Sequence, residues 1–194
     1  MDRKEIVMSI KKIKIISSIF VFLSTFLIHF VYNFFPNDLT SIFFPVNESV
    51  WEHMKMLLLG FLLTGILEYF LSNHFKVKMN NILFSSWFGG FLSIPIYLII
   101  YLPVYYIIGE KMWWNILVMI ITIILIEIIQ TWIIKQKNNK ILNIITVPLI
   151  IITYIIMGYL TFNPPHTHLF FDTNEEKYGI NEYATVEPET HIYY

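Results

Sequence analysis

The chain of 194 residues has no cysteine, a single alanine and few charged side chains. The absence of cysteine excludes disulfide bonds, thiolate metal sites and cysteine nucleophiles. Only 14% of the residues are charged, whereas 56% are hydrophobic. A soluble domain of this length would not have enough interior for so much apolar surface, so the composition indicates a membrane protein. The formal net charge of −1 argues against a nucleic-acid partner and leaves the lipid bilayer as the expected surrounding.

Five apolar segments are long enough to cross a bilayer as helices, which takes about 20 mostly apolar residues each. They cover about residues 15–35, 50–72, 82–108, 113–134 and 141–162. We therefore predict an all-α, five-helix transmembrane bundle over residues 1–162, followed by a polar tail over residues 163–194. In the third segment, Gly89, Gly90, Pro95 and Pro103 predict a bend, which serves either to line a cavity or to improve packing.

Lysine and arginine are concentrated on one predicted side of the membrane. The N-terminal segment, the connection after the second helix and the connection after the fourth helix hold ten of the thirteen basic residues. Because basic residues favour the cytoplasmic side, we expect the N-terminus inside and the tail outside. The scarcity of alanine and the abundance of isoleucine, lysine and asparagine are typical of an AT-rich bacterial genome. The expected location is therefore the bacterial plasma membrane, with several crossings.

The segment "PVNESVWEHMK" at residues 45–55 places many polar side chains at the start of the second helix. Ser49 and Glu52 have the S-x-x-E spacing of a capping box, which explains both residues without any chemistry. Lys55 is expected to pair with Glu52 or to extend to the membrane interface. Capping leaves Glu48 and His53 unexplained, so we regard these two as the candidate catalytic residues.

Histidines from three segments are expected at a similar depth near the outer face. His29 lies about 9 Å from the outer end of the first helix, and His53 lies one turn into the second. His166 follows Pro164 and Pro165, which end the fifth helix. Imidazole and carboxylate groups are typical ligands of Zn²⁺, and a catalytic zinc keeps one position for water. The predicted metal ligands are His29, His53, His166 and Glu48, with Glu48 as ligand or general base. The predicted supporting residues are Asn47, Ser49, Glu52 and Asp172. The alternative is that these histidines are simply hydrogen-bonded inside the bundle.

A second polar group is predicted near the inner face. Glu68 lies twenty residues beyond Glu48, about 30 Å along a helix, so the two cannot bind one ion. Glu127 is expected about 21 Å below the outer end of the fourth helix, and Gln130 follows one turn later. Ionisable residues in a membrane helix are expensive and often functional, which favours a proton relay or an ion pair. The alternative is that Glu68 reaches the inner interface while Glu127 is protonated and hydrogen-bonded.

Three stretches, "HFVY" at 29–32, "PVNESVWEHMK" at 45–55 and "NPPHTHLFFD…YGI" at 163–180, carry a resemblance. In this order they resemble a family of small bacterial integral membrane proteins that is catalogued as a domain of unknown function. The resemblance implies a multi-helix membrane protein and no established activity. The positions that match the family's motifs are His29, Asn47, Glu48, Glu52, His53, His166 and Asp172. Members of that family often have proline at the position of His168, which makes His168 the weakest candidate ligand.

A looser likeness, in residue type alone, is to intramembrane hydrolases of the ceramidase and adiponectin-receptor kind. Those proteins hold zinc with histidines and acids inside a seven-helix bundle and share an S-x-x-x-H motif. Ser49 and His53 have that spacing, which puts both on one face of a helix.

Three functions follow as hypotheses. The first is a metal-dependent hydrolase that acts on a lipid or lipid-linked substrate at the outer leaflet. The second is a proton- or cation-coupled transporter or binding protein for a small solute. The third is a non-catalytic membrane scaffold.

Overall fold

The computed structural model describes residues 8–109, 111–180 and 182–183, and these residues form six α-helices. The helices are α1 (Ile10–Phe34), α2 (Asp38–Phe43), α3 (Val50–His74), α4 (Ile82–Ile108), α5 (Met112–Ile134) and α6 (Lys140–Phe162). All except α2 are long and apolar enough to cross a membrane. The prediction of an all-α bundle with five spanning helices is therefore confirmed. The end of the bundle where α3 begins is called the outer end, after the predicted orientation, which stays a prediction.

The first spanning helix begins five residues before the predicted start. Ser9 caps it, because the Ser9 hydroxyl oxygen accepts a hydrogen bond from the Lys12 N–H at 3.4 Å. Lys14 consequently lies inside the helix and is buried, rather than in a polar flank. The short α2 was not predicted, although Asn37 and Thr40 form a reciprocal capping box at its start.

Helix α4 packs on α3, α5 and α6. It runs without interruption past Pro95 and Pro103. A side chain at Gly90 would meet the Leu58 carbonyl oxygen of α3 at 2.9 Å, and one at Gly89 would overlap the Gln130 amide of α5. Small residues at these positions therefore allow the close helix approach that membrane bundles use.

The described part of the tail folds against the outer end of the bundle. A 3₁₀ turn (His168–Phe170) leads into three short antiparallel strands, β1 (Phe171–Asp172), β2 (Lys177–Tyr178) and β3 (Glu182–Tyr183), in the order β1-β2-β3. The Phe170 ring stacks on Trp51 of α3 with ring centroids 4.8 Å apart. Gly179 adopts a positive φ of 53° and packs so closely on the Thr161 carbonyl that a side chain would not fit. Residues 184–194 of the predicted tail lie outside the described residues.

Candidate metal centre

His29, Glu48 and His53 form a compact group at the outer end, called here the outer group. His29 comes from α1, Glu48 from the loop before α3, and His53 from the first turns of α3. One ligand atom from each lies within 4.8 Å of the other two. The Nε2 atom of His29 is 3.4 Å from Oε1 of Glu48, and the Nε2 atom of His53 is 3.5 Å from Oε2. The two imidazole rings stack with centroids 5.2 Å apart.

These distances can be compared with those of a hydrogen bond and of two ligands on one metal ion. A charge-assisted hydrogen bond between nitrogen and a carboxylate oxygen is about 2.7–2.9 Å long. Two ligands bound tetrahedrally to one zinc at about 2.0–2.1 Å stand about 3.4 Å apart. The separations of 3.4 and 3.5 Å are long for hydrogen bonds and match two ligands on one ion. Each histidine therefore stands near a different oxygen of Glu48, at about the separation of two ligands on one ion.

The hydrogen bonding of His53 favours the same interpretation. Its Nδ1 atom lies 2.8 Å from the Ser49 carbonyl oxygen. Because a carbonyl can only accept, Nδ1 carries the hydrogen, and in the neutral ring the Nε2 lone pair points to Glu48. Two lone pairs that face each other need either a metal ion or a proton between them. Metal-binding histidines commonly donate their other N–H to a backbone carbonyl in this way, which fixes the ring's orientation.

The loop that carries Glu48 is held by the tail. The Glu48 backbone N–H donates to Oδ2 of Asp172 at 2.8 Å, and the Asp172 side chain is fully buried. The Asn47 amide donates to the Gly179 carbonyl at 2.8 Å, and its oxygen accepts the Ser49 N–H at 2.9 Å. Asn47, Ser49 and Asp172 therefore position Glu48 through its backbone, as supporting residues do.

The electrostatic surroundings keep Glu48 ionised. When no metal is bound and His53 is protonated, hydrogen bonding from its imidazolium is the largest influence that lowers the pKa of Glu48 below its ordinary value, while partial burial acts in the opposite direction. The charges of His53 and His29 lower this pKa further. Glu48 is thus a carboxylate at neutral pH, the form that binds metal.

A cavity of about 480 Å³ adjoins the outer group between α1, α3, α4 and α5. Its walls are largely apolar, and Phe26, Phe30 and Met112 at its border are exposed. The side chains of His29, His53 and Glu48 retain 22%, 26% and 43% of their exposure, so an ion and a substrate can reach them. Among the described residues that line this cavity, Glu48 is the only carboxylate.

The expected role of His166 needs correction, because this residue does not join the outer group. Its ring is exposed and stacks on Tyr178 of the tail, with centroids 4.6 Å apart. His166 and His168 line a second cavity of about 490 Å³. Val50 and Tyr101 line both cavities and so lie between His166 and the outer group. The segment after Pro165 was correctly expected at the outer end, but it turns to the other side of these two residues.

The predicted capping box at the start of α3 is only half formed. The Ser49 hydroxyl accepts the Glu52 N–H at 3.4 Å, as expected. The Glu52 carboxylate, however, accepts the Val46 N–H at 3.1 Å instead of the Ser49 N–H. Glu52 also pairs with Lys55 at 2.6 Å and accepts from the Thr161 hydroxyl at 2.9 Å. Glu52, Lys55 and Thr161, called here the buried network, therefore join α3 to α6 and do not reach the outer group.

The predicted inner residues do meet, around a residue that sequence reasoning placed elsewhere. The Nζ atom of Lys14 lies 2.6 Å from Oε1 of Glu68, 2.6 Å from Oε2 of Glu127 and 2.9 Å from Oε1 of Gln130. All four side chains are buried. They are called here the inner cluster. Lys14 was overlooked because its neighbours Lys11 and Lys12 suggested a polar flank; the earlier helix start at Ile10 was the missing signal.

No curated protein and no solved structure matches the chain. A family model does match, over residues 1–180, and its range contains the loop, the helices and the strands that build the outer group and the inner cluster. The chain belongs to the family of unknown function DUF6512.

Proposed function

We propose that the protein binds a divalent metal ion of the zinc type through His29, Glu48 and His53, and that it is a metal-dependent hydrolase of the membrane. The observation that carries the proposal is the convergence of three ligand atoms within 4.8 Å beside a cavity between the helices. Two histidines and one glutamate are a common ligand set of catalytic zinc, which leaves the fourth position to water.

The chemistry expected of such a site is hydrolysis. A zinc-type ion lowers the pKa of its bound water to about 7, so that hydroxide forms at neutral pH. An ion held by His29, Glu48 and His53 would supply activated water for hydrolysis of a substrate carbonyl, in which the bond from the carbonyl carbon to the leaving oxygen or nitrogen would break and the water proton would pass to the leaving group. One oxygen of Glu48 would bind the ion while the other accepts this proton in transit. This double role is required because no other carboxylate lines the cavity among the described residues.

The cavity supports a lipid or lipid-linked substrate. Its volume of about 480 Å³ lies in the range of small-molecule sites. Met54, Leu57 and Met119 provide an apolar wall for an acyl chain, whereas the outer group stands at the polar end. Flexible methionine side chains suit a chain of variable length. The substrate's scissile bond would therefore lie near the headgroup region, at the outer leaflet.

Metal analysis of the purified protein tests the first part of the proposal. We expect about one zinc-type ion per chain after exposure to zinc at neutral pH and removal of free metal, and loss of that ion in His53→Ala. The matched control is His74→Ala, because His74 lies on the same helix, α3, but at its inner end. Equal metal content in wild type and His53→Ala would refute the metal site.

Release of fatty acid from ester-linked phospholipid in mixed micelles tests the second part. We expect turnover that a chelator abolishes, that zinc restores, and that Glu48→Gln reduces at least a hundredfold while some metal remains bound. Stoichiometric metal without turnover on ester- or amide-linked lipids would leave a metal-binding membrane protein and remove the hydrolase.

Proton- or cation-coupled transport is the second candidate, and the charged inner cluster favours it. This function predicts pH-dependent solute flux in liposomes that Glu127→Gln abolishes and His53→Ala leaves unchanged. The scaffold hypothesis instead predicts that Glu48→Ala and His53→Ala lower thermal stability without any loss of flux, turnover or bound metal.

A further inference from the structure

The inner cluster is buried and contains more acidic groups than basic groups. It contains one ammonium group, on Lys14, and two carboxyl groups, on Glu68 and Glu127. The exposed fractions of these residues are 5%, 2% and 5%. They lie four to seven residues from the inner ends of three different spanning helices, so bulk water does not compensate their charge. If both carboxyl groups were ionised, the cluster would bury a net charge of −1.

Lys14 is fully used in holding the cluster together. Its ammonium has three N–H groups, and it contacts three acceptors, one each on Glu68, Glu127 and Gln130. Glu68 and Gln130 each accept a hydrogen bond from this group, while Glu127 Oε2 lies within ion-pair distance of it. The Gln130 amide in turn donates to the Ser85 carbonyl of α4 at 3.0 Å, which fixes its oxygen toward Lys14.

Glu127 is the carboxyl group with the poorest compensation. Its Oε2 atom lies 2.6 Å from Lys14 Nζ, but both of its carboxyl oxygens are buried and neither accepts a hydrogen bond from any described residue. A buried carboxylate oxygen without a donor is costly, whereas the neutral acid costs much less. On α4, the residues that face the cluster at this level are Ser85 and Gly89, and neither carries a charge.

We propose that the inner cluster is a proton-binding site that holds one exchangeable proton on Glu127. With that proton the cluster is neutral: one ammonium, one carboxylate on Glu68 and one carboxylic acid. The cluster lies about 6–10 Å from the inner helix ends, so the proton exchanges with the inner side.

A proton fits this position better than a metal cation. Lys14 Nζ already lies 2.6 Å from one oxygen of each carboxyl group, and it would repel a second cation placed between them. A cation would also need several oxygen ligands, while a proton needs one. The buried hydroxyl of Ser17, one turn from Lys14 on α1, has no hydrogen-bond partner among the described residues, and the hydroxyl of Ser18 donates to the Lys14 carbonyl.

Infrared difference spectroscopy of the full chain in lipid at neutral pH tests this proposal, since it counts protonated carboxyl groups by their C=O stretch. We expect one protonated carboxyl in wild type, none in Glu127→Gln and none in Glu68→Gln, because either change leaves one acid for one lysine. Lys14→Met should raise the count to two. The control is Glu175→Gln in the tail, an exposed acid paired with Lys177, which should change nothing.

Absence of a protonated carboxyl in wild type, or its persistence in Glu127→Gln, would overturn the proposal. If the signal of the protonated carboxyl group disappeared on addition of sodium ions, the inner cluster would be a cation site and the proposal would be wrong. If Lys14→Met does not fold, the two glutamine variants still decide, because glutamine has nearly the shape of glutamate. None of these measurements involves the outer group, so their outcome is independent of the hydrolase proposal.

Thermal unfolding across pH gives a second measurement. A proton that the folded protein keeps and the unfolded chain releases stabilises the fold less as the pH rises, because an unfolded glutamate is ionised above about pH 4.3. We expect the melting temperature of wild type to fall from neutral to alkaline pH, and that of Glu127→Gln to fall less. Identical slopes in the two proteins would contradict the proposal.

Discussion

The buried network and the outer group contain residues only four positions apart in the sequence, Glu52 and Glu48. The two groups differ in how many of their polar atoms form hydrogen bonds. In the buried network, Lys55 is fully buried and donates to Glu52, to the Thr161 hydroxyl and to the Ser41 carbonyl, at 2.5–2.7 Å. In the outer group, imidazole nitrogens face carboxylate oxygens at 3.4–3.5 Å and remain partly exposed. A network with all its hydrogen bonds made holds the fold together. A group whose nitrogen and oxygen atoms stand about as far apart as two ligands on one metal ion, and which lies beside a cavity, is suited to bind such an ion.

The largest effect is expected when the buried network is broken. Lys55→Met leaves Glu52 as an unpaired buried carboxylate, and breaking a buried pair in this way costs about 3–5 kcal/mol. The free energy of unfolding in mild detergent, followed by circular dichroism, measures the change. Zinc binding should change far less per folded molecule, because Lys55 does not contact the outer group.

The double variant Glu52→Gln with Lys55→Met sharpens that result. It removes both charges, so it should recover part of the loss, whereas two independent surface charges would show additive effects. A Lys55→Met protein as stable as wild type would show that the network is not the structural element that its hydrogen bonds indicate.

The next largest effect is expected from metal at the outer group. A ligand that binds only the folded state at a hundred times its Kd stabilises the fold by about 2.7 kcal/mol. Zinc should therefore raise the melting temperature of wild type and leave that of His53→Ala unchanged. His74→Ala should respond as wild type does. An equal rise in all three proteins would assign the effect to some other zinc-binding surface.

Acidification should weaken metal binding through the histidines and not through Glu48. Protons compete with metal for imidazole nitrogen, so affinity falls about tenfold per histidine for each pH unit below about 6.5. The pKa of Glu48 lies below its ordinary value, so this carboxylate remains ionised through the same range. A zinc titration at pH 7.5, 6.5 and 5.5 measures the slope. A decline that begins only near pH 4 would indicate carboxylate ligands alone.

The spanning helices could be predicted from the sequence because their apolar length is a local property. The predicted and observed bounds differ by at most two residues except at the start of α1, where Ser9 caps the helix earlier. That shift of five residues moved Lys14 from a flank into the inner cluster. Whether Lys14 lies inside the helix or before it depends on which residue caps the helix. Composition does not contain that information.

The candidate site could be predicted only in part, for reasons of geometry. His29, Glu48 and His53 are fixed by helix depth, which the sequence shows, and these three do meet. The position of His166 depends on the direction of the extended segment that carries it. That direction is set by tertiary packing, in which the His166 ring stacks on Tyr178. The return bond of Glu52 to Val46 likewise depends on the fold of the preceding loop.

The smallest effect, and the sharpest test of how the tail serves the outer group, is expected at Asp172. Its carboxylate accepts the Glu48 backbone N–H at 2.8 Å and also the N–H groups of Asn174 and Glu175. Asp172→Asn should weaken zinc binding about 10- to 100-fold, as loss of a ligand's supporting partner does, since the amide turns an N–H toward a donor. The matched control is Glu175→Gln, which should leave zinc affinity unchanged. Asp172→Asn should leave the buried network intact. Adding Lys55→Met to Asp172→Asn should therefore lower the free energy of unfolding by the same amount as Lys55→Met does in wild type. Unchanged zinc affinity in Asp172→Asn would show that Glu48 keeps its position without the tail, and that the tail only covers the bundle.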